Sequence, residues 1–194
     1  MHRFVTSRLV LRNWTERDVR PMAQVNADPE VMRWIGSGRT RTEYDTRTAI
    51  DRWQTEIEEH GFGLFAVELR ETGELAGFVG LSVPDFLPEV MPAVEIGWRL
   101  GRAFWGRGIA TEAAREVLRF GFVDRDLKRI ISIHQVGNDA SERIMRKLGM
   151  HRDHQTVDPT CGRAVYVYAI DLSHYLFLRS SLAASTKPQP RQAR

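Results

Sequence analysis

Residues 93–114, AVEIGWRLGRAFWGRGIATEAA, constrain the fold more than any other stretch of the chain. Val94, Ile96 and Trp98 alternate with Glu95, Gly97 and Arg99, the period of a two-faced strand. From about Ile109 the pattern becomes helical, and Gly106-Arg107-Gly108 lies between the two. A strand feeding a glycine-bearing turn and then a helix start is a ready anion site. The first-turn N–H groups lack intrahelical partners, the helix dipole favours negative charge there, and glycine lets a phosphate approach the backbone. This spacing predicts a phosphate-bearing ligand at residues 105–111. A nicotinamide-binding turn would carry a third glycine where Thr111 stands. The matching acid, Asp126, precedes the next strand candidate at 128–134 instead of closing it. The P-loop pattern G-x-x-x-x-G-K followed by Ser or Thr is also absent. Taken alone, the turn reads equally well as a plain strand–helix connection.

The 194 residues suit one domain with a sizeable core, and 42% hydrophobic and 27% charged content are ordinary for a globular chain. No apolar run reaches the roughly 18 residues a membrane span needs, and the start, MHRFVTSRLVLRNW, has no signal-like apolar centre. The single Cys161 excludes an internal disulfide and fits a cytoplasmic location. Net charge is +3, and of 28 basic residues only Lys128, Lys147 and Lys187 are lysines. The arginines are interspersed with acids, which argues against a nucleic-acid partner.

Residues 6–12 (TSRLVLR) read as the first strand. Thr15 and Asp18 form a short-armed capping pair before a helix at 16–26, with Pro21 inside it as a kink or break. Asp28-Pro29 caps a short helix to Trp34, and 42–59 carries helical spacing. Strands at 63–70 and 74–81 flank the turn Glu71-Thr72-Gly73, and a Pro-rich loop fills 84–92. After the strand of the opening stretch come a helix at 108–123, a strand at 130–135, a helix at 138–148 closed by Gly149, and a strand at 165–172. A further strand fits 151–157, and the proline-bearing tail 184–194 reads as disordered. The expected fold is α/β (α+β): a mixed, mostly antiparallel sheet of six to seven strands with helices on both faces. One domain is expected over 1–172, followed by a C-terminal extension over 173–194.

This element order, with TSRLVLR, GELAGFVGL, VEIGWRL, FWGRGIATEAAREVLRFGF and NDASERIMRKLGM in sequence, resembles the GNAT superfamily of acetyl-coenzyme-A-dependent N-acetyltransferases. The likeness covers about residues 6–172 and points to the branch with ribosomal-protein N-terminal (alanine or serine) acetyltransferases. It implies acetyl-CoA as cosubstrate, an amine acceptor, no resident metal and a homodimer. The superfamily's pyrophosphate signature has Gln or Arg, two residues, Gly, one residue, then Gly or Ala. Here it falls on residues 103–108, with Ala103 at the first position, which shifts phosphate binding towards backbone N–H groups. Arg102 and Arg107 are candidate substitutes. The coenzyme contacts implied are Trp98, Arg99 and Leu100 on the strand, Arg102 and Trp105 to Thr111 (Gly106, Arg107, Gly108, Ile109, Ala110) at the turn, and Asn138 with Ser141 on the later helix.

Acyl transfer to an amine needs a base, a donor for the developing oxyanion, held attack geometry and an outlet for the thiolate. Glu95 is the candidate base; a structural acid paired with an arginine is the equal alternative. The resemblance assigns Leu100 to the acyl oxygen. Many relatives carry a tyrosine as thiolate acid where Met145 stands here, which leaves Ser141 or a water for that role. Asn138 is equally an N-cap. The pair His151 and His154 supplies too few ligands for a metal, and Cys161 lacks an assignable base. The acceptor is expected between residues 32–35 and the loop 157–162, with Met32, Trp34, Phe86 and Glu95 in contact. Two functions follow: an N-acetyltransferase acting on a protein N-terminus or a small amine by direct attack in a ternary complex, or a non-catalytic acyl-coenzyme-A sensor on the same fold.

Overall fold

The computed structural model describes residues 2–185; residues 186–194, nearly all of the tail expected to be disordered, lie outside them. Eight strands form one sheet: β1 (Arg3–Val5), β2 (Leu9–Arg12), β3 (Leu64–Leu69), β4 (Leu75–Ser82), β5 (Glu95–Leu100), β6 (Arg129–Gln135), β7 (His151–Asp158) and β8 (Arg163–Asp171). Their spatial order is β1-β2-β3-β4-β5-β6-β8-β7. Every neighbouring pair is antiparallel except β5–β6, which is parallel. The helices are α1 (Val19–Ala27), α2 (Pro29–Met32), α3 (Glu43–His60), α4 (Ile109–Arg119), α5 (Asp139–Lys147) and α6 (Leu172–Ser185).

The expected six to seven strands become eight because residues 3–12 form a hairpin instead of one strand. Thr6 N–H bonds the Leu9 carbonyl at 3.0 Å, and Arg3–Val5 is too short to show an alternation of its own. A single 3-10 turn, Glu16–Asp18, precedes α1, so Pro21 falls in that helix's first turn, where its missing N–H costs little. Residues 172–185 are a docked helix, where the sequence suggested only an extension beyond 172. Its apolar residues follow no single helical stripe, yet Tyr175 is buried and stacks on Phe122 at 4.7 Å. Helix α4 ends in a five-residue π-turn, Phe120–Asp124, that keeps Phe120 and Phe122 in the core.

One sheet face packs Ile96, Leu100, Val79 and Leu81 against Ala113, Val117 and Leu118 of α4. The other packs Ala66 and Phe78 against Met22 of α1 and Ile50 and Trp53 of α3. Side chains alternate along β5, so Ile96, Trp98 and Leu100 lie on the α4 side and Glu95, Gly97 and Arg99 on the α1–α3 side. Among the described residues no helix is long and apolar enough to cross a membrane.

The α1 side is anchored by a buried charge cluster. Arg12 donates to both Asp18 oxygens at 2.7 and 2.8 Å and to Glu68 at 2.7 Å. Burial raises the Asp18 pKa, but the bonds from Arg12 and Thr15 outweigh it and hold the carboxyl below its ordinary value. Asp18→Ala would leave Arg12 with Glu68 as its remaining carboxylate and is expected to cost about 1.5–3 kcal/mol in urea unfolding at neutral pH. Because the Asp18 pKa is depressed, its contribution is present above the unfolded value and fades as pH falls through the folded one.

Candidate active site

The parallel pair β5–β6 opens after one rung. Glu95 pairs with Ile131, and Ile131 N–H donates to the Val94 carbonyl at 2.9 Å. A continued parallel ladder would carry Ile133 N–H to the Ile96 carbonyl. Instead Ile133 N–H donates to Glu95 Oε1 at 3.2 Å, and the Ile96 carbonyl accepts from Ser132 Oγ at 2.8 Å. Two side chains thus replace ladder bonds, and the strands diverge beyond them. Gly101 N–H bonds the Ala76 carbonyl of the β4 side, so by alternation the backbone groups of Trp98 and Leu100 face the opening. The Leu100 carbonyl is taken by Trp105 Nε1 at 2.8 Å, which leaves its N–H turned to the gap.

Glu95 is half-buried, and among the described residues no arginine pairs with it. Burial pushes its pKa up to about 8, and the Ile133 N–H opposes this only in part. A carboxyl near 8 exists in both protonation states around neutral pH, as a general base requires.

Beyond Leu100 the chain makes the turn expected from its glycines. Gly106 and Gly108 adopt φ of +71° and +76°, the left-handed region natural to glycine. Gly108 occupies the N-cap of α4 with no side-chain cap, and the first intrahelical bond is Glu112 N–H to Gly108 O at 3.0 Å. The N–H groups of Ile109, Ala110 and Thr111 are therefore free of helix partners. Nothing would meet a Cβ at Gly106, so the cradle above it is open. These features fit a pyrophosphate. Arg107 stays at the turn, its guanidinium 5.8 Å from the Phe104 ring centroid. Arg102 leaves it: its Nε pairs with Asp28 at 3.0 Å, towards the α1–α2 side. Trp105 is half-exposed over the turn.

The turn is pinned from behind. Glu112 accepts from Thr6 Oγ1 at 2.6 Å, Ser7 Oγ at 3.0 Å and Arg8 N–H at 3.0 Å, while Arg8 Nε reaches its other oxygen at 2.7 Å. Arg8 Nη1 also donates to the Arg107 carbonyl at 2.9 Å. Burial raises the Glu112 pKa, but these bonds overcome it and bring the carboxyl to about 2.

Across the opening, Asn138 Oδ1 caps α5 by accepting from Ser141 N–H at 3.3 Å. The Ser141 hydroxyl is half-exposed and makes no hydrogen bond. Met145 is fully buried in the core, so its side chain serves packing. Trp34 lies against Gly137, just before Asn138. Met32, expected at the acceptor, is only 1% exposed and lies in the core beneath the surface; Phe86 is 37% exposed in the loop before β5. Arg163 and Gln135 carry no local sequence signal, yet they tie the loop after α2 to the β6 end. Arg163 donates to the Arg33 and Ser37 carbonyls and to Gln135 Oε1, each at 2.8 Å, and Gln135 Nε2 donates to the Gly36 carbonyl at 2.7 Å. His154 bonds Asp153 and Glu89, and among the described residues no group of three His, Cys, Asp or Glu could hold a metal ion.

The Acetyltransferase (GNAT) domain model matches residues 8–151. Uncharacterized protein YkkB of Bacillus subtilis is 33% identical over 150 residues, 77% of this chain and 85% of that protein. Uncharacterized N-acetyltransferase p20 of Bacillus licheniformis is 28% identical over 177 residues, 89% of this chain and 96% of its own. The crystal structure of a GNAT-family acetyltransferase from Bacillus anthracis superimposes with a TM-score of 0.76 at 27% identity, covering 89% and 99% of the two chains.

Glu112→Gln should loosen the contact between the 6–8 segment and the turn and lower stability by about 1–3 kcal/mol at neutral pH. The Glu112 pKa is depressed, so the difference from the parent, followed by thermal unfolding, is expected to shrink from pH 4.5 towards 2.

Proposed function

The chain belongs to the GNAT acetyltransferase family, as an N-acetyltransferase, and from that premise we propose that it moves the acetyl group of acetyl-CoA to a primary amine by direct attack in a ternary complex. The observation that carries the reading is the contiguity of residues 95–111. A carboxyl with a raised pKa, an unpaired strand edge and an uncapped helix start follow one another along a single opened strand.

In this reading the N–H groups of Ile109, Ala110 and Thr111 hold the pyrophosphate, with Gly106 and Gly108 allowing close approach. Trp98 and Leu100 present backbone groups to the pantetheine amides, and the Leu100 N–H donates to the acyl oxygen as it gains charge. Asn138 and Ser141 border the same arm from α5. The amine arrives from the α1–α3 side, past Trp34 and Phe86. Glu95 takes the proton the amine loses, directly or through water, as nitrogen bonds the acyl carbon and the carbon–sulfur bond breaks. The departing thiolate takes a proton from Ser141 Oγ, which regains one from solvent, or from water. A thiol pKa near 8.5 makes that demand small. The core position of Met145 accounts for the missing tyrosine as packing, and the sensor alternative is not favoured.

A panel of amines and N-terminal peptides, followed by thiol release from acetyl-CoA, tests this. With a competent acceptor, kcat/KM is expected to rise with pH through about 8, the value to which Glu95 is raised. Glu95→Gln should remove that limb and lower turnover by about 10²–10⁴, with coenzyme affinity retained. An unchanged pH profile in the variant would make Glu95 a purely structural acid.

A further inference from the structure

Arg99 lies on the same face of β5 as Glu95, and Gly97 between them would meet nothing within 4 Å if it carried a Cβ. The face is thus a trough with an acid at one end and a guanidinium at the other, their Cα atoms roughly 13 Å apart along the strand. Arg99 is only 8% exposed. A charge so buried is ordinarily paired with a carboxylate, and Arg99 has none. Its Nη1 donates to Asn26 Oδ1 at 2.7 Å, a neutral acceptor whose own Nδ2 donates to Thr46 Oγ1, and its Nε is buried with no partner among the described residues. The guanidinium lies over Phe78 at 5.2 Å.

A second cation adjoins it. Arg41, at the start of the segment leading into α3, bonds the Asn26 carbonyl through its own N–H at 3.0 Å, and among the described residues its guanidinium has no hydrogen bond or ion pair. Burial lowers the pKa of both arginines, and each feels another like charge: Arg41 depresses Arg99, and Arg52 depresses Arg41, which the Asp45 carboxylate opposes only in part. The nearby Asp45 carboxylate is committed to Thr42, at 2.9 Å to its N–H and 2.7 Å to its hydroxyl. At the far end of a trough that begins at the base, Arg99 is buried with no carboxylate among the described residues, and the half-buried Arg41 is held to the same Asn26; the Arg99 guanidinium lacks an anionic partner.

We propose that Arg99 and Arg41 receive an anionic group of the acceptor, so that the amine acetylated here belongs to a small molecule bearing a carboxylate or phosphate several bonds from its nitrogen. This rests on the transfer reading for the role of Glu95, but the anion receptor can be measured apart from it. The fork of a guanidinium accommodates either anion through paired N–H donors, and placing the anion at Arg99 leaves the amine to reach back over Gly97.

The test compares 4-aminobutyrate, 6-aminohexanoate and 3-aminopropyl phosphate with n-butylamine, the uncharged-tail control. Binding is measured by calorimetry with coenzyme A present, and thiol release with acetyl-CoA. At least one anionic amine should bind tenfold or more tightly than n-butylamine, and the carboxylate and phosphate arms show which anion is preferred. Arg41→Ala and Arg99→Met should each cut that discrimination at least tenfold, through KM more than kcat, whereas Glu95→Gln should lower kcat and leave the binding discrimination in place. Should Arg99→Met fail to fold, Arg41→Ala decides alone. Equal binding of n-butylamine and all three anionic amines, or full discrimination in folded Arg41→Ala, overturns the proposal. Anion-selective binding without thiol release would leave the receptor standing and remove the transfer reading. Release as fast with n-butylamine as with the anionic amines would do the reverse.

Discussion

The architecture depends on what happens between Glu95 and Ser132. A parallel strand pair inside a sheet ordinarily runs its ladder to the end, because each unmade bond leaves a donor and an acceptor unsatisfied. Here the Glu95 carboxylate takes the Ile133 N–H and the Ser132 hydroxyl serves the Ile96 carbonyl. Both backbone groups stay satisfied while the strands part. The opening is therefore a stable feature of the sheet, and it requires a side chain of each kind, one acceptor and one donor, at the point of divergence. Everything assigned to the coenzyme lies past that point, and everything assigned to the acceptor lies on the side from which Glu95 projects.

The same arrangement lets the chemical role proposed for Glu95 coexist with a structural one. Its Oε1 accepts one backbone N–H, which ties the carboxyl in place, while burial raises its pKa. A second and third N–H donor would have lowered that value into the range of an inert carboxylate, as the bonds to Glu112 do, bringing that acid to about 2. The two acids bracket the stretch 95–112 and differ in how strongly burial acts on them and in the donors they face, the Arg8 cation among those of Glu112. One is left poised near neutrality; the other is fixed as an anion that locks the turn to the 6–8 segment.

Much of the frame was legible from residue order. The strand at 93–100, the glycine turn, the helix from 109 and the capped helix at 138 follow from alternation, positive-φ glycine and N-cap chemistry, each local in the chain. The 3–5 strand escaped because three residues cannot display a period, and α6 because its apolar residues do not form one stripe. Met145 was visible as a departure from the family pattern, but its burial was not. The contacts of Arg163, Gln135, Ser132 and Arg41 were illegible for one reason: their partners are about 15 to more than 100 positions away, and no local spacing encodes them. Arg102 shows the converse. Adjacent to the turn in sequence, it is drawn off by Asp28.

The long-range contacts also account for the shape of the acceptor side. The loop after α2 has no hydrophobic core of its own to hold it, and its carbonyls at 33, 36 and 37 would otherwise be left to solvent. Arg163 and Gln135 take all three and tie the loop to β6 and β8 at the mouth of the opening. Trp34 is thereby held against Gly137, beside the start of α5. Farther along the same connection, Arg41 is held through its backbone to Asn26, next to Arg99. One loop therefore brings an aromatic wall beside the start of α5 and a second cation beside Asn26 and Arg99. The carbonyls at 33 and 37 take charge-assisted bonds from Arg163, which are stronger than neutral ones. A sheet opened by two side chains and a loop strapped across it by two others together shape the cleft proposed for the two substrates.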